Sequence, residues 1–433
     1  MSLTLLVESN PRIIDIYMLN LSTYVGLDIM VVSTVNDALQ VLDKQPFKLI
    51  ISRASMEQKN LAELIADKMG QLQLTIPLFV IGHGVYPKLA TGVLSGSLDL
   101  KGVVKGAAQA LGITAQQMAQ KKVDDFFPIH SRYIQMINFP NTDLYEKTAE
   151  GQYRLIAQSH KKLDHSTLAR DTFFYVQKLD RLQMVNLITS ELISLLEDKD
   201  LNPDEVIQAG ASNLELLSKK LMSIGITEET IQLAKKSMTS LSQNVKKNKE
   251  LGKLLQRMLS NQAGYLFRHT QVVTYVSLHI VKHIDWGTPE QEDKINFICF
   301  FHDIALENDV QAKIKNKEEL RKSTLDTREK NLVEKHAQIA AELVHKYPHA
   351  PMGADQIIRQ HHGMLNGAGF SDHFGANLSP MAIVFVVAEE FTRIIIEKEN
   401  GPYDVKEMVK HLKTAFPTSR FQKMIEIVEK ITF

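Results

Sequence analysis

The chain opens with short apolar runs separated by segments whose apolar positions recur at helical spacing. Residues 3–7, 29–32, 49–51, 78–81 and 103–104 are the runs, and their alternation with amphipathic stretches predicts a doubly wound parallel sheet over residues 1–121. Over residues 122–186 the pattern changes to short stretches rich in aromatic and β-branched residues, punctuated by Pro128, Pro140 and Asn141. This predicts a small α+β module with a helix near residues 166–171, its aromatics forming the core of a small sheet. Residues 187–262 return to long amphipathic helices, such as 186–196 and 204–222, broken near Pro203 and Gly225. They read as a helical connector whose apolar stripes need a partner, so a homodimer is expected. Residues 263–433 read as an all-α domain, and the alternating charges of 315–335 suggest an exposed loop within it.

Composition narrows the picture. With 433 residues there is room for several cores. Lys plus Arg and Asp plus Glu both count 50, which argues for neither a nucleic acid nor an anionic membrane surface as partner. A single cysteine excludes an intrachain disulfide and fits a reducing compartment. Residues 1–7 have neither the length nor the basic start of a signal peptide, and no run approaches a membrane span. A cytoplasmic protein is expected.

The candidate chemistry lies in the helical part. The apolar run from Ile295 to Phe301 ends in the acid-base pair His302-Asp303, and a buried carboxylate normally neutralises or finds a cation. Further histidines sit on apolar helix faces. His269 continues into Val272 and Val276, and His336 shares a stripe with Leu332, Ile339 and Leu343. His361-His362 follows Ile357 and Ile358 and precedes a Gly-rich turn, and Glu389 lies among Ile383, Phe385, Val386 and Phe391. One such histidine is ordinarily a satisfied core residue. An ordered set of seven ligand-type side chains points to a metal centre.

The order His269, His302-Asp303, His336, His361-His362, Glu389 resembles the HD-GYP branch of the HD superfamily, helical metal-dependent phosphohydrolases that in bacteria cleave cyclic di-GMP. The resemblance implies that these seven residues hold two divalent ions, with Asp303 as the bridge and His302-Asp303 at the catalytic centre. Two such ions can activate water and neutralise charge developing on a phosphodiester. Imidazole and carboxylate without thiolate suit iron or manganese, with zinc as the alternative, so Cys299 is read as core. The chain also departs from the family. Ala305-Leu306 replaces Gly-Lys, Gly363 replaces Glu, Gly369-Phe370-Ser371 replaces Gly-Tyr-Pro, Tyr265 stands where members with a third metal carry Glu, and Glu389 replaces Asp. Near the end, Gly401-Pro402-Tyr403-Asp404 replaces Arg-Pro-Tyr-Arg. The metal cradle is kept and the cations that would meet substrate phosphate are lost.

Residues 1–121 resemble a response-regulator receiver domain of flavodoxin-like topology, again with departures. Glu8-Ser9 stands for the acid pair after the first strand, Arg53 for the phosphate-accepting Asp, and Gly82 for the hydroxyl after the fourth strand. Only Lys105, after the expected fifth strand, matches. Arg cannot accept a phosphoryl group and opposes Mg²⁺; Arg53 either mimics an activated state or sits in solvent, and the second is expected. Two functions follow. One is a divergent dinuclear phosphodiesterase acting on a cyclic dinucleotide or related phosphodiester. The other is a signalling adaptor that keeps the fold and binds protein partners or nucleotide without turnover.

Overall fold

A computed structural model describes residues 3–82, 85–94, 96–119, 124–196, 201–248, 250–260, 263–371, 374–375, 377–398, 401 and 403–433. The expected boundaries at 121/122 and 262/263, and Pro402, fall outside them. The chain forms two compact units, Met1–Ser212 and Asn213–Phe433.

The first unit is mixed α/β. Its parallel sheet has strands β1 (Leu3–Val7), β2 (Asp28–Val32), β3 (Leu49–Arg53), β4 (Leu78–Ile81) and β5 (Gly92–Leu94), in the order β2-β1-β3-β4-β5. The central strands are buried on both faces, as crossover helices require: Leu5, Leu6, Val7, Ile50 and Ile51 are all buried. Four helices flank the sheet, α1 (Pro11–Asn20), α2 (Val35–Val41), α3 (Leu61–Gln71) and α4 (Leu100–Ala110). The expected fifth strand at 103–104 is wrong. Val103 and Val104 lie inside α4, whose start is capped by Asp99, and the weaker Gly-Val-Leu run at 92–94 supplies the strand. Lys105 therefore lies on the exposed side of a helix and not after a strand.

A second, antiparallel sheet follows, with strands β6 (Phe126–His130), β7 (Leu144–Lys147), β8 (Tyr153–Ala157) and β9 (Phe173–Gln177) in the order β8-β7-β9-β6. Where a helix was expected near 166–171 there is only a 3₁₀ turn, His165–Thr167, and Asp171 has φ 50°. The aromatics divide by strand alternation. Phe174 is buried, whereas Phe126 stacks on Tyr153 (3.8 Å between centroids) and Tyr175 and Tyr145 pack edge-on to them on the opposite, partly exposed face. Leu6 and Ile51 of the first sheet, Ile129 and Phe174 of the second, and Val185 and Ile188 of α5 (Arg181–Ser194) belong to one buried cluster.

Arg53 does not sit in solvent. Its guanidinium lies between two buried carboxylates, 3.4 Å from Glu8 at the end of β1 and 2.6 Å from Glu205 on α6 (Pro203–Ile224). It also donates to Ser97. Burial holds the Glu8 carboxyl above its usual range, with Arg53 opposing; for Glu205, burial pulls the same way but the Arg53 charge and hydrogen bonds win, and its carboxyl is held below that range. Sequence proximity gives no hint of this clamp, because Glu205 is 152 residues from Arg53.

The second unit is helical. Its elements after α6 are α7 (Glu228–Lys247), α8 (Leu251–Ser260), α9 (Tyr265–His283), α10 (Pro289–Phe301), α11 (Lys317–Lys322), α12 (Thr327–His345), α13 (Ala354–Arg359), α14 (Pro380–Glu397), α15 (Val405–Ala415) and α16 (Ser419–Val428). α9, α10 and α14 pack together at the centre, which is why the second half of α10, from Ile295, and most of α14 are apolar. The connector's apolar stripes are covered within the chain: Leu217, Leu221, Leu241, Leu254 and Met258 are buried. A homodimer is thus not required to cover them. The expected loop at 315–335 is mostly helix, α11 and the start of α12, the latter set by an Asp326–Glu329 capping box. Among the described residues no helix is long and apolar enough to cross a membrane.

Candidate metal centre

Five helices bring the seven predicted residues together. His269 stands on α9, His302 closes α10 with Asp303 next, His336 stands on α12, His361-His362 follows α13, and Glu389 stands on α14. Local sequence explains each placement. Thr288 and Pro289 start α10, so that its thirteen residues end at the pair. The carboxylate of Asp309 accepts hydrogen bonds from the backbone N–H groups of Tyr265 and Leu266 at 2.7 and 3.0 Å, which fixes the start of α9 one turn before His269. The Gly-rich turn lies against α12, where a Cβ on Gly367 would stand 2.9 Å from the Gln338 nitrogen. Only glycine permits that approach at φ +76°, and the turn thereby presents His361 and His362 to His336.

The side chains form two groups, Asp303 with His336, His361 and His362, and His269 with His302 and Glu389, each able to hold a metal ion. Asp303 stands between them. Its Oδ1 is 3.3 Å from His336 Nε2 and 3.7 Å from His361 Nε2, while its Oδ2 is 3.3 Å from His302 Nε2 and 3.8 Å from His269 Nε2. Glu389 reaches His269 Nε2 at 3.1 Å. Three rings point their other nitrogen at a backbone carbonyl: His302 Nδ1 at Cys299 O (2.8 Å), His336 Nδ1 at Val333 O and His361 Nδ1 at Ile358 O (both 2.6 Å). A carbonyl only accepts, so each Nδ1 carries the hydrogen and a neutral ring keeps its Nε2 lone pair for the centre. These Nε2 atoms approach within 3.1–3.4 Å of their neighbours. Converging lone pairs and ionised carboxylates are what a bound cation reconciles.

Electrostatics in the metal-free site agree. Burial would lower the His302 pKa, but the charges of Asp303 and Glu389 push it up to about 9. Burial would raise that of Glu389, but His269 and His302 hold it down at about 2, and Asp303 is likewise held well below the usual range, chiefly by His302. For His362 burial with His361 and His336 outweighs the Asp303 charge and drives it well below the usual imidazole value. Cys299 is fully buried, its thiol pushed up to about 12 by burial, and packs in the core as expected.

The centre opens on a cavity of about 310 Å³ whose walls beyond the metal groups include Lys315, Glu319, Phe370, Glu390 and Arg393. Leu306 is buried in the wall of this cavity. Asp404 caps α15 through the Lys406 and Glu407 N–H groups. Lys315 is a finding the sequence did not signal. It falls in the segment expected to be an exposed loop, yet its ammonium is buried with no hydrogen-bond partner, 5.3 Å from the Tyr265 ring centroid, and burial lowers its pKa. The half-buried Ile314 beside it is the only trace in the local pattern. Tyr265 itself stacks nearly parallel on His269.

Comparison with known proteins agrees with this geometry. Residues 266–431 match the HD domain. HD domains are generally metal-dependent hydrolases and bind divalent metals, and all seven gathered residues lie within the matched span of this one. No curated protein matches the chain. Among solved structures it is similar to "Bd1817, a HDG"Y"P protein from Bdellovibrio bacteriovorus", at 13% identity and a TM-score of 0.37, over 71% of this chain and 99% of that one.

Proposed function

We propose that the HD domain is a dinuclear metal phosphodiesterase of the HD-GYP type, working in bacterial cyclic-dinucleotide signalling with altered substrate binding. The position of Asp303 carries this reading, since its two oxygens face two separate groups of imidazoles as a bridging carboxylate must. His336, His361 and His362 would hold one ion, His269, His302 and Glu389 the other. Iron or manganese fits this donor set best and zinc is the alternative. Two divalent ions there would supply an activated water and neutralise charge developing on the phosphorus oxygens. The protein's own part is to hold the Nε2 atoms by their Nδ1 hydrogen bonds, to exclude bulk water behind Phe370, and to orient the phosphate. Lys315 is the residue for that last task. An ammonium buried without a partner beside the centre has the charge and the unmet hydrogen bonds that a phosphate oxygen would satisfy, so the cation absent at Leu306 is supplied from elsewhere in the chain.

In the same reading the first unit is a receiver-like domain that does not receive phosphate. Its support is the parallel strand order, which follows the flavodoxin-like sequence 2-1-3-4-5, and the Arg53 clamp, which occupies the carboxyl ends of β1 and β3. The test of the function is elemental analysis of protein purified without added metal, followed by hydrolysis of bis-p-nitrophenyl phosphate. Close to two ions per chain with metal-dependent turnover is expected. Metal-loaded protein without turnover would favour the adaptor, and a chain that takes up no metal would overturn the site.

A further inference from the structure

Two cations stand in the walls of the 310 Å³ cavity, and they are held in opposite ways. Lys315 is a buried ammonium with no hydrogen-bond partner. Arg393, one turn after Glu389 on α14, is fully engaged by its own chain. Its Nε donates to Glu390 Oε2 at 2.9 Å and its Nη2 to Glu390 Oε1, while its Nη1 reaches the two oxygens of Glu397 at 3.0 and 3.2 Å. His411 on α15 braces the pair, its Nε2 standing 3.2 Å from Nη2 and 3.0 Å from Glu390 Oε1. Two carboxylates thus neutralise one guanidinium and occupy its edge, where a phosphate would otherwise be gripped. What Arg393 keeps for the cavity is its flat face. The side chain is 26% exposed, and the bonds along its edge hold the plane still. A delocalised guanidinium stacks on aromatic rings, and nucleobases are held against such planes. Phe374 and Phe416, 5.8 Å apart between ring centroids, line the same cavity and add flat apolar wall.

We infer that Arg393 is a specificity-determining residue of this cavity: its locked guanidinium is the platform on which the base of a nucleotide phosphoester stacks, while the phosphate turns to Lys315 and the metal groups. The inference rests on the proposed phosphodiesterase reading for its substrate class, and adds the group that selects a substrate with a base over one without. Stacking requires a π-face and no particular pattern of donors, so it favours any base over none. A cavity of about 310 Å³ is at the small end for ligand pockets, and a single nucleotide is therefore the probe of choice.

The test titrates the full chain, in the presence of Mn²⁺, with adenosine 5′-monophosphate, ribose 5-phosphate and adenosine, and reads heats of binding. The first two probes differ only in the base. The monophosphate should bind about five- to hundredfold more tightly than ribose 5-phosphate, the range for one stacked base. Arg393→Lys keeps the charge and loses the plane, and should bring the monophosphate down to the level of ribose 5-phosphate. Arg393→Gln, which loses the charge and most of the plane, should give the same loss and serves where the lysine variant does not fold. A parent protein that binds the two phosphates equally, or binds none of the three probes, would overturn the inference. So would variants that lose ribose 5-phosphate as strongly as the monophosphate, because Arg393 would then be a phosphate contact. Adenosine separates this outcome from the fate of the metal reading. Adenosine binding that Arg393→Lys abolishes would support the platform even in a chain that takes up no metal, whereas a chain that holds metal and ribose 5-phosphate without preferring a base would keep the metal reading and lose the platform.

Discussion

The two units each bury a pair of carboxylates and meet the cost in opposite ways. In the crevice of the first, Glu8 and Glu205 share the guanidinium of Arg53, a cation that belongs to the chain and cannot leave. In the second, Asp303 and Glu389 face imidazoles, and among the described residues no Lys or Arg is paired with either. Isolated buried charge is costly in both places. The crevice takes its cation from the chain itself. The centre is left to be completed by a cation from outside the chain, for which its two groups of side chains are placed.

The largest effect expected from breaking this comparison is at Asp303. If the carboxylate bridges, Asp303→Ala should release both ions, and hydrolysis should fall to background; elemental analysis after gel filtration measures it. Retention of one ion per chain would show that each group binds alone. In the crevice the matching change is Arg53→Ala, which leaves two buried carboxylates without their cation. Breaking a buried pair by removing one partner costs about 3–5 kcal/mol, and denaturant unfolding followed by a probe in the first unit should show a loss of that size. The same unit should gain no mass on incubation with acetyl phosphate and Mg²⁺ if, as proposed, it is receiver-like with Arg53 in the acceptor's place. A stable phosphoryl group mapped to a carboxylate there would contradict the clamp.

Lys315 gives a smaller effect. A hydrogen bond to a charged group is worth about 1.5–3 kcal/mol, so Lys315→Gln should raise KM for bis-p-nitrophenyl phosphate about ten- to hundredfold while the metal content stays at the parent value. Unchanged KM would mean that the ammonium does not meet the substrate.

What the sequence revealed differs between the two units for a physical reason. The candidate ligands stand on or beside helices, and a helix advertises its buried face by a spacing of three and four, so His269, His336 and Glu389 could be picked out one element at a time. The first four parallel strands were equally legible as isolated apolar runs. Val103-Val104 misled because a β-branched pair inside an amphipathic helix looks like a short strand, whereas Gly92–Leu94 is half exposed and hardly apolar. The clamp was out of reach because its partners come from separate elements, and no local pattern marks Arg53 and Glu205 as neighbours. Lys315 was masked by the charges around it, which are exposed while its own ammonium is not. Composition divides the chain into four segments and packing divides it into two, because residues that differ in composition still share one buried cluster in the first unit.

The smallest expected effect, and the one that separates the two carboxylate pairs most cleanly, is the response to pH. In the metal-free centre Glu389 is held at about 2 against an ordinary 4.5. A depressed carboxyl contributes stability above its unfolded value, and that contribution is lost as pH falls from 4.5 towards 2. His302 is pushed up to about 9 from 6.5, so its contribution is complete below 6.5 and is lost as pH rises through 9. His362, held well below the usual imidazole value, works the other way, its contribution being lost as pH falls below 6.5, so the loss at His302 is read in metal-free protein on the alkaline side alone, as a fall in melting temperature between pH 7 and 9. Metal binding runs the other way, because His302 must give up its proton to ligate. Mn²⁺ affinity should climb between pH 6.5 and 9 by no more than about tenfold per unit, the slope for one proton released, and then level off. The clamp residues Glu8, Arg53, Ser97 and Glu205 include no histidine and take no part in this proton release. Titrations of Mn²⁺ at pH 6.5, 7.5 and 8.5 decide the matter, and a flat affinity would show that His302 carries no proton in the metal-free protein.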